Sequence, residues 1–365
     1  MHLTLHLTDR CNMACRYCYA SHGQTDMTFE TATAAIRRCA EGPNCGIIFF
    51  GGEPLLRSDL IWDVIRWCER EEPHRFHYKV TTNGLLLEEP FLAAAEQHRL
   101  HVALSHDGVK ATHDRFRLSA DGAETFDRLL PKLQMLLARQ PYAPVMTTVN
   151  PETVATMADS VRWLQGAGVQ YIVVSLNYAG QWTDARLRQL KREYLKLEKW
   201  HLENYRAERK LYFSPFDTRM STHIFGGRGV SCRLGRRQIS VGPDGTLYPC
   251  VQFLRRTGYA IGTAGTGIDE TRRETIFRAN EAEKESCAGC ALNGRCHNKC
   301  GCLNIQTTGS LSEVPPVLCE HERMVFPIAD RLANRLYKER NALFIQRHYN
   351  PAFPVLSFLE DLAQV

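Results

Sequence analysis

Cys11, Cys15 and Cys18, spaced CxxxCxxC on one short stretch behind an apolar run, have the residue type and spacing to hold metal. Three thiolates on one loop can ligate three irons of a [4Fe–4S] cube and leave the fourth iron open to an outside ligand. A structural zinc ion wants four protein ligands, and no fourth lies nearby in the sequence. One βα unit further on stands Gly51-Gly52-Glu53-Pro54. Its glycines let the backbone approach a ligand closely, and its carboxylate can accept hydrogen bonds from an ammonium. Alone, that tetrapeptide reads as an ordinary turn.

A second group begins at Cys232 and Cys250, with Gly245 between them, continues through Cys287, Cys290, Cys296 and Cys300, and ends at Cys319. Thiol pairs on tight loops again indicate metal, although CxxC alone fits zinc as well as iron. Cys302 follows Cys300 by two residues and reads either as a further ligand or as a free buried thiol. Cys39, Cys45 and Cys68 are scattered and read as buried hydrophobes.

The chain has 14 cysteines but starts without a basic n-region and a long apolar run, so metal ligation is expected over disulfides. No stretch of about 18 apolar residues is present. These features predict a soluble cytoplasmic protein without a membrane partner. Lys and Arg number 45 against 40 Asp and Glu, with no basic block of the kind that tracks phosphates, which argues against nucleic acid as the main partner.

The elements that must position these residues follow a βα rhythm up to about residue 210. Strands are expected at 3–8, 46–50, 76–82, 100–105, 143–149 and 170–176. Helix starts are expected at Thr28, with Glu30 in the first turn, and at Asn150 before Pro151. Six such units predict an α/β fold built on a partial (β/α)6 TIM-type barrel, whose chemistry sits at the C-terminal ends of its strands. Residues 183–210 read as a charged helix with a solvated face that links two domains. Residues 211–230, ending in Gly226-Gly227-Arg-Gly229, read as an irregular connection, and 320–346 as a final amphipathic helix. The domains are therefore expected at 1–210, 211–320 and 321–365.

CxxxCxxC with Tyr17 before its last cysteine, followed by GGEP, resembles the radical S-adenosylmethionine (SAM) superfamily. The resemblance implies that SAM chelates the open iron through its amino and carboxylate groups. Reductive cleavage then gives a 5′-deoxyadenosyl radical that takes hydrogen from a substrate. It further implies cofactor contacts from Tyr17, Gly51, Gly52 and Glu53, with Asn83 of Thr81-Thr82-Asn83-Gly84 and Ser105 ahead of Asp107-Gly108. β-Turns explain Asn-Gly and Asp-Gly equally well. His113-Asp114-Arg115-Phe-Arg117 resembles a segment of SPASM-type members whose last arginine reaches SAM; a surface helix start is the plain alternative.

The seven-cysteine order from Cys232 to Cys319 is similar to the SPASM domain, which implies two auxiliary [4Fe–4S] clusters. By that resemblance Cys232, Cys250 and Cys300 serve one, and Cys287, Cys290, Cys296 and Cys319 the other. Some members carry an extra cysteine shortly after the first, and Arg233 to Val241 contains none. Either Cys302 completes the first set or its iron is open to a substrate thiolate.

SPASM members mainly modify peptides or proteins. Sulfatase maturases that form formylglycine resemble this chain except that an aspartate follows their counterpart of Cys250; here it is Val251, in YPCVQF. That stretch looks closer to enzymes that crosslink cysteine-containing peptides, so thioether formation on a ribosomally made peptide is expected. Formylglycine-forming sulfatase maturation, a small-molecule SPASM dehydrogenase and a non-catalytic iron–sulfur electron carrier are the alternatives. The resemblance implies an electron donor such as flavodoxin or ferredoxin. Because the chain starts at its first strand, a separate leader-binding protein is a further expected partner.

Overall fold

The computed structural model describes residues 1–20, 22–226 and 231–352. Its strands and helices alternate. They run β1 (His2–His6), α1 (Phe29–Cys39), β2 (Cys45–Phe50), α2 (Ser58–Glu71), β3 (Phe76–Thr82), α3 (Glu89–Gln97) and β4 (Leu100–Ser105). Then follow α4 (Lys110–Phe116), α5 (Phe126–Arg139), β5 (Pro144–Val149), α6 (Met157–Gly166), β6 (Tyr171–Leu176) and α7 (Asp184–Arg206). All six expected strands form, within a few residues of their expected ends.

These strands pair in parallel with each next to its successor, in the order β6-β5-β4-β3-β2-β1. A sequential order without reversal curls the sheet into a partial barrel instead of a doubly wound sandwich. The register places Leu3 opposite Ile47 and Leu5 opposite Phe49, and all four side chains are fully buried. Helices cover the outside. Thr28 caps α1, its hydroxyl accepting the Thr31 N–H at 3.1 Å, as its residue type predicts.

Several of the expected elements need correction. The helix expected at Asn150 begins only at Met157, after a short 3-10 turn. Helix α7 exposes charge but is not merely a solvated strut: Leu190, Tyr194, Leu197 and Tyr205 are buried. Residues 211–226 are regular. β7 (Tyr212–Phe213) pairs in parallel with β6 and leads into α8 (Ser214–Phe225). Of the glycine-rich end of that stretch, residues 227–230 lie outside the described residues.

The second cysteine group is built on the same sheet. β8 (Gln238–Val241) pairs in parallel with β1, and β9 (Leu247–Tyr248) returns antiparallel to it. Gly245 has a φ of 81° in the intervening turn, a left-handed backbone that favours glycine. Helices α9 (Glu270–Glu281), α10 (Gly301–Thr308), α11 (Pro316–Lys338) and α12 (Ala342–Tyr349) follow. The final helix expected over 320–346 is thus two, broken where Arg340 takes a φ of 50° and Asn341 caps α12 by accepting the Phe344 N–H at 2.9 Å. Among the described residues no helix is long and apolar enough to cross a membrane.

Candidate active site

The loops at the C-terminal ends of β1 to β6 open on one cavity of about 480 Å³. Cys11, Cys15 and Cys18 line it from the first loop, Gly51, Gly52 and Glu53 from the second, Asn83 from the third and Ser105 from the fourth. Tyr17 and Arg117 complete that side, and Cys300 and Cys302 face it from the C-terminal region.

The cysteine loop is held from two directions. Ala14 and Arg16 donate backbone hydrogen bonds to the carbonyls of Leu118 and Phe116, each at 2.9 Å. Gly52 and Glu53 donate to the carbonyls of Thr8 and Arg10 at 2.8 and 2.9 Å. A Cβ on Gly52 would lie 2.2 Å from the Arg10 carbonyl oxygen, and one on Gly51 2.5 Å from that of Thr8. The glycines therefore let the second loop close on the first, and the room left by their missing side chains is taken by the protein's own backbone, not by a ligand.

Glu53 is buried, and its carboxylate accepts hydrogen bonds from the Asn83 N–H at 2.8 Å, the Thr82 hydroxyl at 2.7 Å and the Leu55 N–H at 3.0 Å. Burial nevertheless pushes its carboxyl up to about 7. A carboxylate has about four acceptor positions, so one remains for a donor in the cavity. Asn83 donates to the Asn12 side chain at 2.8 Å and approaches the Cys11 sulfur at 3.7 Å, which ties the third loop to the cysteine loop.

Tyr17 and Arg117 meet on Asp107, a residue of the stretch read either as near SAM or as a β-turn. The Tyr17 hydroxyl donates to Asp107 Oδ2 at 2.7 Å, and Arg117 Nε lies 3.0 Å from the same oxygen. The guanidinium also sits over the Tyr17 ring, 5.4 Å from its centroid. Asp107 Oδ1 accepts the Thr148 N–H at 2.9 Å. Burial drives the Tyr17 hydroxyl well up, so it stays protonated as the donor. His113 and Asp114 are buried, and Asp114 caps α5 by accepting the N–H groups of Thr125 and Phe126 at 3.0 and 2.9 Å. That segment is not a surface helix start.

Cys250 follows the hairpin β8–β9 and is buried, and the N-terminus of α10 delivers Cys300 to the cavity. Cys232 lies within electrostatic reach of both. Cys296 and Cys319 each lie within reach of Cys287 and Cys290. The structure therefore brings the second group together as two sets of thiols. Burial pushes Cys11 and Cys296 up to about 11 and Cys232 up to about 12. Thiols so placed become thiolates at neutral pH only beside a strong cationic partner, which iron supplies. This donor set fits iron–sulfur clusters. Cys39, Cys45 and Cys68 are fully buried among apolar residues.

The sequence reading missed the cavity's far wall, where Thr148 and Tyr178 sit. The Tyr178 hydroxyl shares a 2.7 Å hydrogen bond with His321 Nδ1, and Tyr194 meets His321 Nε2 at 2.8 Å. Their position at the ends of β5 and β6 was the available signal.

Residues 5–181 match the model of the radical SAM superfamily. These residues form a radical SAM domain. Enzymes of this superfamily use a [4Fe–4S] cluster and SAM, and the cysteine loop and Glu53 lie within the matched residues and line one cavity. It is 30% identical over 178 residues to the uncharacterized protein MJ0907 of Methanocaldococcus jannaschii, covering 48% of this chain and 62% of that one. It is 21% identical over 324 residues to a cysteine-type anaerobic sulfatase-maturating enzyme of Clostridium perfringens, covering 80% of this chain and 85% of the relative. Among solved structures, native anSMEcpe with bound AdoMet and Cp18Cys peptide superposes with a TM-score of 0.77 at 19% identity, covering 92% of this chain and 99% of that one. Streptococcus suis SuiB bound to precursor peptide SuiA superposes with a TM-score of 0.60 at 14% identity, covering 87% and 75%. At these identities the two structures establish the shared fold.

Proposed function

We propose that this radical SAM chain oxidises a residue of a peptide or protein by two electrons and closes a thioether between a substrate cysteine and the carbon that loses hydrogen. The observation that carries the reading is the shared cavity. Cys11, Cys15, Cys18 and Glu53 line it together with Cys300 and Cys302. The residues proposed for hydrogen abstraction and for electron removal thus border one space. The solved relatives seen with Cp18Cys peptide and with SuiA support a polypeptide substrate.

When bound, the cluster and SAM supply one-electron cleavage and a nucleoside radical that accepts one hydrogen atom. The chain's own part is to position. Glu53 offers a carboxylate oxygen to the methionyl ammonium, and Arg117, fixed by Asp107, holds Tyr17 behind the cysteine loop. The substrate would give up one hydrogen atom from carbon to the nucleoside, one proton from sulfur and one electron, for which the iron–sulfur cluster that Cys232, Cys250 and Cys300 would hold is the acceptor. The sulfur–carbon bond forms, and the product is lighter by two hydrogens. Val251, in place of the acid found in sulfatase maturases, favours this outcome over formylglycine. The regions 211–320 and 321–365 are proposed as the auxiliary-cluster domain and a C-terminal segment, of which 353–365 lie outside the described residues, with an external electron donor as partner.

The test is mass spectrometry of a cysteine-containing peptide turned over anaerobically with SAM and a reductant. Loss of two hydrogens together with loss of alkylation at the cysteine is the expected result. A product with an aldehyde, or one that still alkylates fully at cysteine, would replace the thioether with residue oxidation or carbon–carbon linkage.

A further inference from the structure

We propose that Cys302 is the fourth thiolate of the iron–sulfur site formed by Cys232, Cys250 and Cys300, so that this site is closed to substrate sulfur. The assignment rests on the reading of the second cysteine group as cluster ligands. It does not depend on which bond the enzyme forms.

Side chains two apart do not face each other on a helix. Cys300 and Cys302 nevertheless meet, sulfur to sulfur, at 3.4 Å. They can because Cys300 is the N-cap of α10, with ψ at 87°, and its side chain leaves the chain before helical geometry begins. Cys302 also lies near Cys250, which arrives on the separate hairpin. Thiols from two elements therefore stand close together, with Cys232 within electrostatic reach of Cys250 and Cys300.

The turn that produces this convergence is pinned. A Cβ on Gly301 would lie 2.4 Å from Asn280 Oδ1 and 2.8 Å from Leu234 Cδ2, so only glycine lets α10 start that close to its support. The Asn280 side chain donates to the Lys299 carbonyl at 3.0 Å, and Asn304 donates to the carbonyl of Asn298 at 2.9 Å. An inert buried cysteine packs among apolar atoms, as Cys39 does; Cys302 instead has two thiols near it and lines the cavity.

With the fourth position taken by the protein, a substrate cysteine enters the cavity unligated. The cluster that Cys232, Cys250, Cys300 and Cys302 would hold would then serve as an electron acceptor without a bond between substrate sulfur and iron.

The test compares full-length anaerobically reconstituted wild type with Cys302→Ala, Cys302→Ser and, as a control, Cys39→Ala. Iron content, Mössbauer and electron paramagnetic resonance spectra are recorded with and without N-acetylcysteine as thiol probe. Wild type and Cys39→Ala should hold about twelve irons and ignore the probe. Cys302→Ala should alter the auxiliary-cluster spectra before any probe is added, and the probe should shift them again by occupying the opened iron. If the alanine variant does not fold, Cys302→Ser carries the test, since an oxygen ligand in place of sulfur changes the same spectra without a loss of volume. Cys302 variants with wild-type spectra, or a wild-type cluster that binds the probe, would overturn the assignment. A wild type retaining only about four irons would overturn the cluster reading itself, a different failure.

Discussion

Glu53 holds the fold together at one residue and, in the proposed reaction, serves the cofactor from the same carboxylate. Its carboxylate satisfies two backbone N–H groups and the Thr82 hydroxyl at the end of β3, and one acceptor position is left for the cavity. Glutamine at this position keeps one oxygen and replaces the other with an NH2. The Thr82 hydroxyl can turn to accept from that NH2, but one backbone N–H then loses its acceptor, at a cost of about 1 kcal/mol in stability. The charge-assisted contact to the methionyl ammonium disappears as well, worth roughly 1.5–3 kcal/mol. Glu53→Gln is therefore expected to bind SAM roughly ten- to hundredfold more weakly with its iron content unchanged, as isothermal titration and iron analysis would read. Unchanged SAM affinity would confine Glu53 to its role in the turn.

At the scale of elements, α11 is fastened to α8 by a buried ion pair. Arg219 donates through Nε and Nη2 to the two oxygens of Glu322 at 2.9 and 2.8 Å, with both side chains almost fully buried. Arg219 holds the Glu322 carboxyl down at about 2. Removing one partner strands the other as a buried charge, so Glu322→Gln should destabilise the protein by about 3–5 kcal/mol, read from the denaturant midpoint. Arg219→Met combined with Glu322→Leu should recover most of that loss, because no charge is then left unpaired. An additive double variant would show that the two helices do not depend on the pair. The elements this pair joins differ in how far the sequence discloses them. β1 to β6 are legible because each is a run of apolar residues bounded by turn residues. β7 has two residues, too few to show any period, and α8 has no clear amphipathic stripe. The pairing of β8 with β1 joins residues more than 230 positions apart, and nothing local records it. The site divides the same way. CxxxCxxC and GGEP are contiguous and were readable, whereas the Tyr17–Asp107–Arg117 contact and the nearness of Cys250 to Cys302 exist only once distant loops are brought together.

For the whole molecule, the question is whether the two cysteine groups stand or fall together. They share a sheet, since β8 extends it beyond β1, and Arg255 pairs with Asp9 at the root of the cysteine loop. Their immediate supports are nonetheless distinct. The first group rests on the backbone of residues 116–118 and on Gly52 and Glu53. The second rests on β9, on Asn280 of α9 and on the start of α10. Neither support runs through the thiols of the other group. Replacing Cys11, Cys15 and Cys18 together by alanine should thus remove about one third of the iron, the share of one cluster in three, and abolish conversion of SAM to 5′-deoxyadenosine. The remaining iron should keep the spectra of the auxiliary sites. SAM cleavage surviving in the triple variant would refute the assignment of the first group, and loss of all iron would show that the C-terminal sites form only against an intact cysteine loop.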